Sequence, residues 1–166
     1  MSSNIQKKST TNLSKDFKSV VTKLENDLKL IADGEVVIAG TKKNPIITNN
    51  KKIPIKHFFM DGVYIREMKM YKDTVVVGAI HKHLHMCFLL QGRITVANED
   101  GVIEYKAPCY IESTPGVKRI LYAHEDCLWY NTHKNPSNTT DVKKIEQETV
   151  ALNYKEYEKY INIKNK

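Results

Sequence analysis

Three of the six histidines in this chain, His81, His83 and His85, alternate in a segment that follows the valine run Val75-Val76-Val77. Successive strand side chains point to opposite faces, so the three imidazoles share one face if the strand continues through them. A row of neutral imidazoles is a ligand set for a divalent transition metal such as Fe, Mn, Ni or Zn. The alternative is a polar strand end whose histidines hydrogen-bond to their neighbours. The segment runs on through Met86-Cys87-Phe88-Leu89-Leu90 to Gly92, the pattern of a buried strand ending in a turn.

Other residues could join this chemistry. His133 ends the run Trp129-Tyr130-Asn131-Thr132-His133, in which Trp129, Asn131 and His133 alternate onto one face. Glu67 could ligate a metal, orient a histidine, or pair with Arg66 or Arg119. Cys87 shares the His85 face and could ligate as a thiolate, although an inert buried thiol is the default. Trp129, Phe88 and Tyr105 read as core. His57 and His124 stand alone and receive no role.

The elements that must position these groups are short. From 57 to 133 the chain reads as consecutive strands near 57–60, 63–70, 74–81, 84–91, 93–98, 102–106, 109–113, 118–123 and 127–133. Breaks fall at Asp61-Gly62, Lys72-Asp73, Gly92, Pro108 and Pro115-Gly116, and Asp100-Gly101 is a hairpin signal. Short strands without intervening helices predict a mainly β, antiparallel sandwich or barrel. Upstream, Phe17, Val20, Val21, Leu24, Leu28 and Ile31 make one apolar stripe on a helix over 15–33, with Ser14 as cap and Gly34 as stop. So large a stripe must be covered, and contact with another chain is the expectation. A second helix is expected over about 140–150, capped by Thr140, and the Lys/Tyr-rich tail from Tyr154 is helical at its start. The divisions are a disordered or docking arm (1–13), an amphipathic helix (14–34), a strand and linker loop (35–56), the barrel (57–135), and a C-terminal helix with a basic tail (136–166).

A chain of 166 residues can bury one core without disulfides, and three cysteines exclude a complete disulfide framework. No apolar run approaches the roughly 20 residues of a membrane span. The residues after Met1 lack the apolar stretch of a signal peptide, so the expected location is the cytoplasm. The net charge of +7 lies largely in lysines at the termini and in one loop, without interleaved aromatics. It reads as solvated surface, with nucleic-acid binding through the basic termini the weakest function class.

The strand run over 57–135 and the histidine cluster together resemble the cupin superfamily, whose fold is an antiparallel double-stranded β-helix, or jelly roll. Gly78, His81, His83 and Gly92 fit its first motif, and Pro115-x-Gly116 fits the turn of its second. In that family three His and one Glu hold a metal in the barrel mouth. Here His85 stands in the place of the Glu, and Arg119 in that of the third His. A guanidinium cannot ligate a metal but binds carboxylate or phosphate bidentately, so Arg119 is either an anion clamp or a salt-bridge partner. The resemblance implies that the strand ending in His133 lies beside the strand carrying His81, and that His133 supplies the missing ligand. The metal set it suggests is His81, His83, His85 and His133, with Arg119 and Glu67 binding ligand.

A narrower pattern looks like a cupin-like family encoded in tailed-phage genomes. It includes Gly62-Val63-Tyr64-Ile65-Arg66-Glu67, His81-Lys82-x-x-His85, Gly92-Arg93-Ile94, Gly116-x-Lys118-Arg119 and Trp129-x-x-Thr132-His133. That likeness implies a viral source, in host cytoplasm or virion, and the fold rather than a substrate. In that family His81 and His85 recur while the position of His83 varies. Two readings follow. One is a non-catalytic structural or binding module, part of a homo-oligomer or larger assembly, with a histidine metal site. The other is a mononuclear metal-dependent enzyme, an oxygenase, isomerase or lyase, acting on a small oxygen-rich substrate.

Overall fold

The computed structural model describes residues 17–29, 36–38 and 53–164. The expected arm (1–13), Ser14, Gly34 and most of the linker loop lie outside them. The first helix, α1 (Phe17–Lys29), is followed by strands β1 (Val36–Ile38), β2 (Ile55–Met60), β3 (Val63–Met70), β4 (Val75–Val77), β5 (Ile80–His81) and β6 (His85–Gln91). Strands β7 (Arg93–Asn98), β8 (Gly101–Lys106), β9 (Cys109–Ser113), β10 (Ile120–Ala123) and β11 (Cys127–Lys134) continue the run. The chain then forms α2 (Val142–Thr149), β12 (Val150–Ala151) and α3 (Tyr154–Lys164).

Two five-stranded sheets make the body, in the orders β1-β4-β10-β7-β8 and β2-β3-β11-β6-β9. Pairing is antiparallel except between β1 and β4, where Val36 meets Val75 in parallel register. One core joins the inner faces: Val76, Ile94, Val96 and Leu121 from the first sheet meet Met68, Cys87, Leu89, Ile111 and Trp129 from the second. Strand alternation produces this. In β11, Cys127, Trp129, Asn131 and His133 are buried and their neighbours less so. The turn from β6 to β7 passes Gly92 at φ +87°, where a Cβ would lie 2.4 Å from the Asp126 carbonyl oxygen. Only glycine satisfies both conditions.

The hairpin signal at Asp100-Gly101 is shifted by one residue. Asn98 pairs with Gly101, so Glu99-Asp100 form the turn and Gly101 opens β8. The predicted strand over 74–81 is two strands. After β4 the chain leaves the first sheet, and β5 pairs with β12 instead.

The described part of the α1 stripe packs largely on its own domain. Phe17, Val21, Leu24 and Leu28 pack against Val77, Ala97, Ile120 and Tyr154, while Val20 stays 56% exposed. The helix is also pinned by charge: Lys118, 1% exposed, donates to Glu25 across 2.8 Å. The cap of α2 is Asp141 rather than Thr140. Its carboxylate accepts from the Lys143 and Lys144 amides, satisfying donors that the first turn leaves free. The tail is helical through Lys164. None of the described helices is long and apolar enough to cross a membrane.

Candidate metal centre

His81, His85 and His133 converge at one end of the barrel, each offering a ligand nitrogen, all within 4.8 Å of one another. Their ring centroids are 4.1 Å (His81–His85), 4.8 Å (His81–His133) and 4.6 Å (His85–His133) apart. Each residue is at most 7% exposed. His85 opens β6 and His133 lies near the end of β11, and these strands are hydrogen-bonded neighbours. His81 ends β5, which lies outside both five-stranded sheets and pairs with β12. The strand beside the one carrying His133 is therefore that of His85, not that of His81.

His83 is not brought into the cluster. The chain bends at residues 82–84 between β5 and β6, so alternation does not carry through. Lys82 donates its amide to the Thr149 carbonyl, and His83 Nε2 lies 3.2 Å from the Glu148 carbonyl oxygen. The ring of His83 meets that of Tyr160 edge-on. Glu67 is also apart. Tyr64, Arg66, Met68 and Met70 take the inward positions of β3, which leaves Glu67 on the outer face. There it accepts from the Tyr130 hydroxyl and pairs with Lys56 at 3.1 Å. Arg66, proposed as its partner, reaches Glu146 of α2 at 3.6 Å instead.

The cluster suits a cation that takes nitrogen donors. Burial, and secondarily the other histidines and the two arginines, holds His81 well below the ordinary imidazole pKa. Burial does the same for His133, with Arg66 next in effect. His85 is lowered to about 4, again mainly by burial. At neutral pH the imidazoles are uncharged and their lone pairs available. His81 Nδ1 is buried with no hydrogen-bond partner, an orphan that a metal would satisfy. His85 Nδ1 lies 3.3 Å from the His83 carbonyl oxygen. Donation there presents Nε2 as the ligand atom, the usual outer support of a metal-bound histidine. Nitrogens on a tetrahedral ion with bonds near 2.05 Å stand about 3.4 Å apart, so side-chain rotations of about an ångström close the set.

The surroundings are polar in a selective way. Cys87 Sγ lies 3.5 Å from His85 Nε2, and its thiol donates to Asn131 Oδ1 across 3.3 Å. Trp129 Nε1 donates to the same oxygen across 3.1 Å. Burial raises the Cys87 thiol to about 11, so without a metal it is a neutral neighbour of His85. Arg119, 9% exposed, donates to Ser113 Oγ, and Ser113 stands opposite His85 in the β6–β9 ladder. Sequence reasoning missed Ser113, Asn131 and Glu146. Asn131 alone carried a signal, sharing the alternation of Trp129 and His133.

No family model matches the sequence, and no curated protein matches it. Solved structures do resemble its fold. A cupin 2 conserved barrel domain protein from Salinispora arenicola aligns over 64% of this chain and 92% of its own, at 11% identity and TM-score 0.46. A cupin-2 domain containing protein from Shewanella frigidimarina aligns over 49% and 79%, at 16% identity and TM-score 0.42. The EutQ protein of Clostridium difficile aligns over 57% and 79%, at 14% identity and TM-score 0.43. The likeness is one of fold and says nothing of ligand or reaction.

Proposed function

We propose that this chain is a jelly-roll protein of cupin type that binds one divalent transition metal through His81, His85 and His133. The observation that carries the reading is the convergence of three buried, uncharged imidazoles, one with an orphaned nitrogen. Three protein ligands leave coordination positions open, which distinguishes a working centre from a closed structural one. A bound metal would supply Lewis acidity toward a small oxygen donor. The chain's own residues keep the imidazoles neutral and orient His85 through the His83 carbonyl.

Co2+ loading tests both parts. A low-coordinate cobalt spectrum in the visible, lost in His133→Ala, is expected. Addition of azide should shift that spectrum, because an open position takes the added ligand. An unshifted spectrum would mean a closed, structural ion.

A second reading, a non-catalytic module of an oligomer or of a virion, has its own support. The outer face of the second sheet carries Phe58, Met60, Leu90 and Tyr110, each at least 43% exposed. An apolar face of that kind suits contact between proteins. Light scattering on the full chain tests it: a monomer unaffected by Phe58→Lys and Tyr110→Lys would remove it.

A further inference from the structure

The charge inside the barrel is unbalanced, and the imbalance points to a ligand. Two arginines face the cluster. Arg66 is held by Glu146. Arg119 has a neutral hydroxyl, that of Ser113, as its hydrogen-bond partner. Among the described residues no carboxylate forms an ion pair with Arg119. A buried guanidinium without a counter-ion is strongly unfavourable, and neutral imidazoles do nothing to offset it. A divalent metal held by three neutral ligands would add positive charge beside it.

We propose that Arg119 is the anion-binding arm of this site and that its ligand is a small carboxylate. One carboxylate oxygen accepts from the guanidinium, and the other is directed to the space between His81, His85 and His133. The proposal rests on the metal reading above for the second contact and on Arg119 alone for the first. A charge-assisted bond from the guanidinium to one carboxylate oxygen is strong on its own, and it leaves the second oxygen for the metal. Phosphate fits less well. Arg66 is paired with Glu146, which leaves Arg119 and the Ser113 hydroxyl it donates to, and Asn131 Oδ1 is an acceptor already used by Cys87 and Trp129. A tetrahedral anion would leave buried oxygens without partners. Arg119 is a binding residue here, and Ser113 positions it.

Acetate and oxalate, titrated into the zinc-loaded full chain, test this directly. Calorimetry reads the binding, and the fluorescence of Trp129, the single tryptophan, reports from inside the barrel. Saturable binding of at least one carboxylate is expected, with acetamide failing to compete. Arg119→Gln should weaken it at least 10-fold while zinc affinity stays within 2-fold. Arg119→Lys keeps the charge without the planar guanidinium and should fall between the two; it also serves if the glutamine variant fails to fold. Equal carboxylate affinity in wild type and variants would overturn the proposal. So would inorganic phosphate binding more tightly than either carboxylate, or no carboxylate binding with or without zinc. If the wild type binds no zinc, the metal reading fails separately. Carboxylate binding to the metal-free chain that is lost in Arg119→Gln would still uphold the anion arm, and its absence would end it.

Discussion

The imidazoles of His85 and His133 lie 4.6 Å apart, centroid to centroid, because β6 and β11 are hydrogen-bonded neighbours and both side chains point into the barrel. Backbone pairing therefore fixes two of the three nitrogens before any ion arrives. The third, from His81, comes from outside that sheet and is held by the β5–β12 pair. Removing a ligand should accordingly matter far more than removing a nearby histidine. His133→Ala should lower Zn2+ affinity by about 100-fold or more, beyond the loss seen for outer supports of a metal ligand. His83→Ala should leave it within about 2-fold, since His83 is turned to the Glu148 carbonyl. Isothermal titration of the two variants side by side checks the contrast.

Acid should destabilise the metal-free fold through the same residues. His85 titrates near 4 when folded and near 6.5 when unfolded, so between those values the unfolded chain binds the extra proton. Stability is then complete above pH 6.5 and falls as pH drops toward 4. The loss from His85 alone is about 3 kcal/mol, and His81 and His133 act in the same direction. Urea unfolding of chelator-treated protein at pH 7.5 and pH 4.5 measures it. Stability that rose on acidification would contradict the burial of neutral histidines.

Lys118 and Glu25 should form the electrostatic latch of α1. Glu25→Ala leaves a nearly inaccessible ammonium without this partner and should cost about 3–5 kcal/mol. Replacing both, as Glu25→Leu with Lys118→Met, should recover most of that loss, because a well-packed apolar pair often matches a buried ion pair. Thermal denaturation of the single and double variants decides the point.

Gly92→Ala should destabilise by about 1–3 kcal/mol. The added methyl meets the Asp126 carbonyl at 2.4 Å, and φ +87° disfavours any side chain. Gly62→Ala shares the positive φ but meets nothing within 4 Å, so its loss should be smaller. Urea unfolding of the two variants separates the clash from the strain.

Much of the strand order was legible because turn chemistry is local. Asp61-Gly62, Gly92 and Pro115-Gly116 mark breaks that the structure keeps, and alternation along 127–133 placed Trp129, Asn131 and His133 together. What was not legible depends on contacts between distant segments. The bend at residues 82–84 carries no glycine or proline, and it follows from pairing with β12, so His83 looked equivalent to its neighbours. Sequence left Glu67 open to a metal, a histidine, Arg66 or Arg119, yet Arg66 points inward to Glu146 and Glu67 outward to Lys56. The covering of α1 was equally hidden, since an apolar stripe does not name its partner.

The central claim is that three histidines from β5, β6 and β11 hold one ion. Titration of Zn2+ into the chelator-treated full chain, with His81→Ala/His133→Ala as control, tests it most directly. The account predicts one equivalent bound at micromolar affinity or better in the wild type and none at that affinity in the variant. Absence of saturable binding in the wild type, or equal binding in a folded variant, would contradict it.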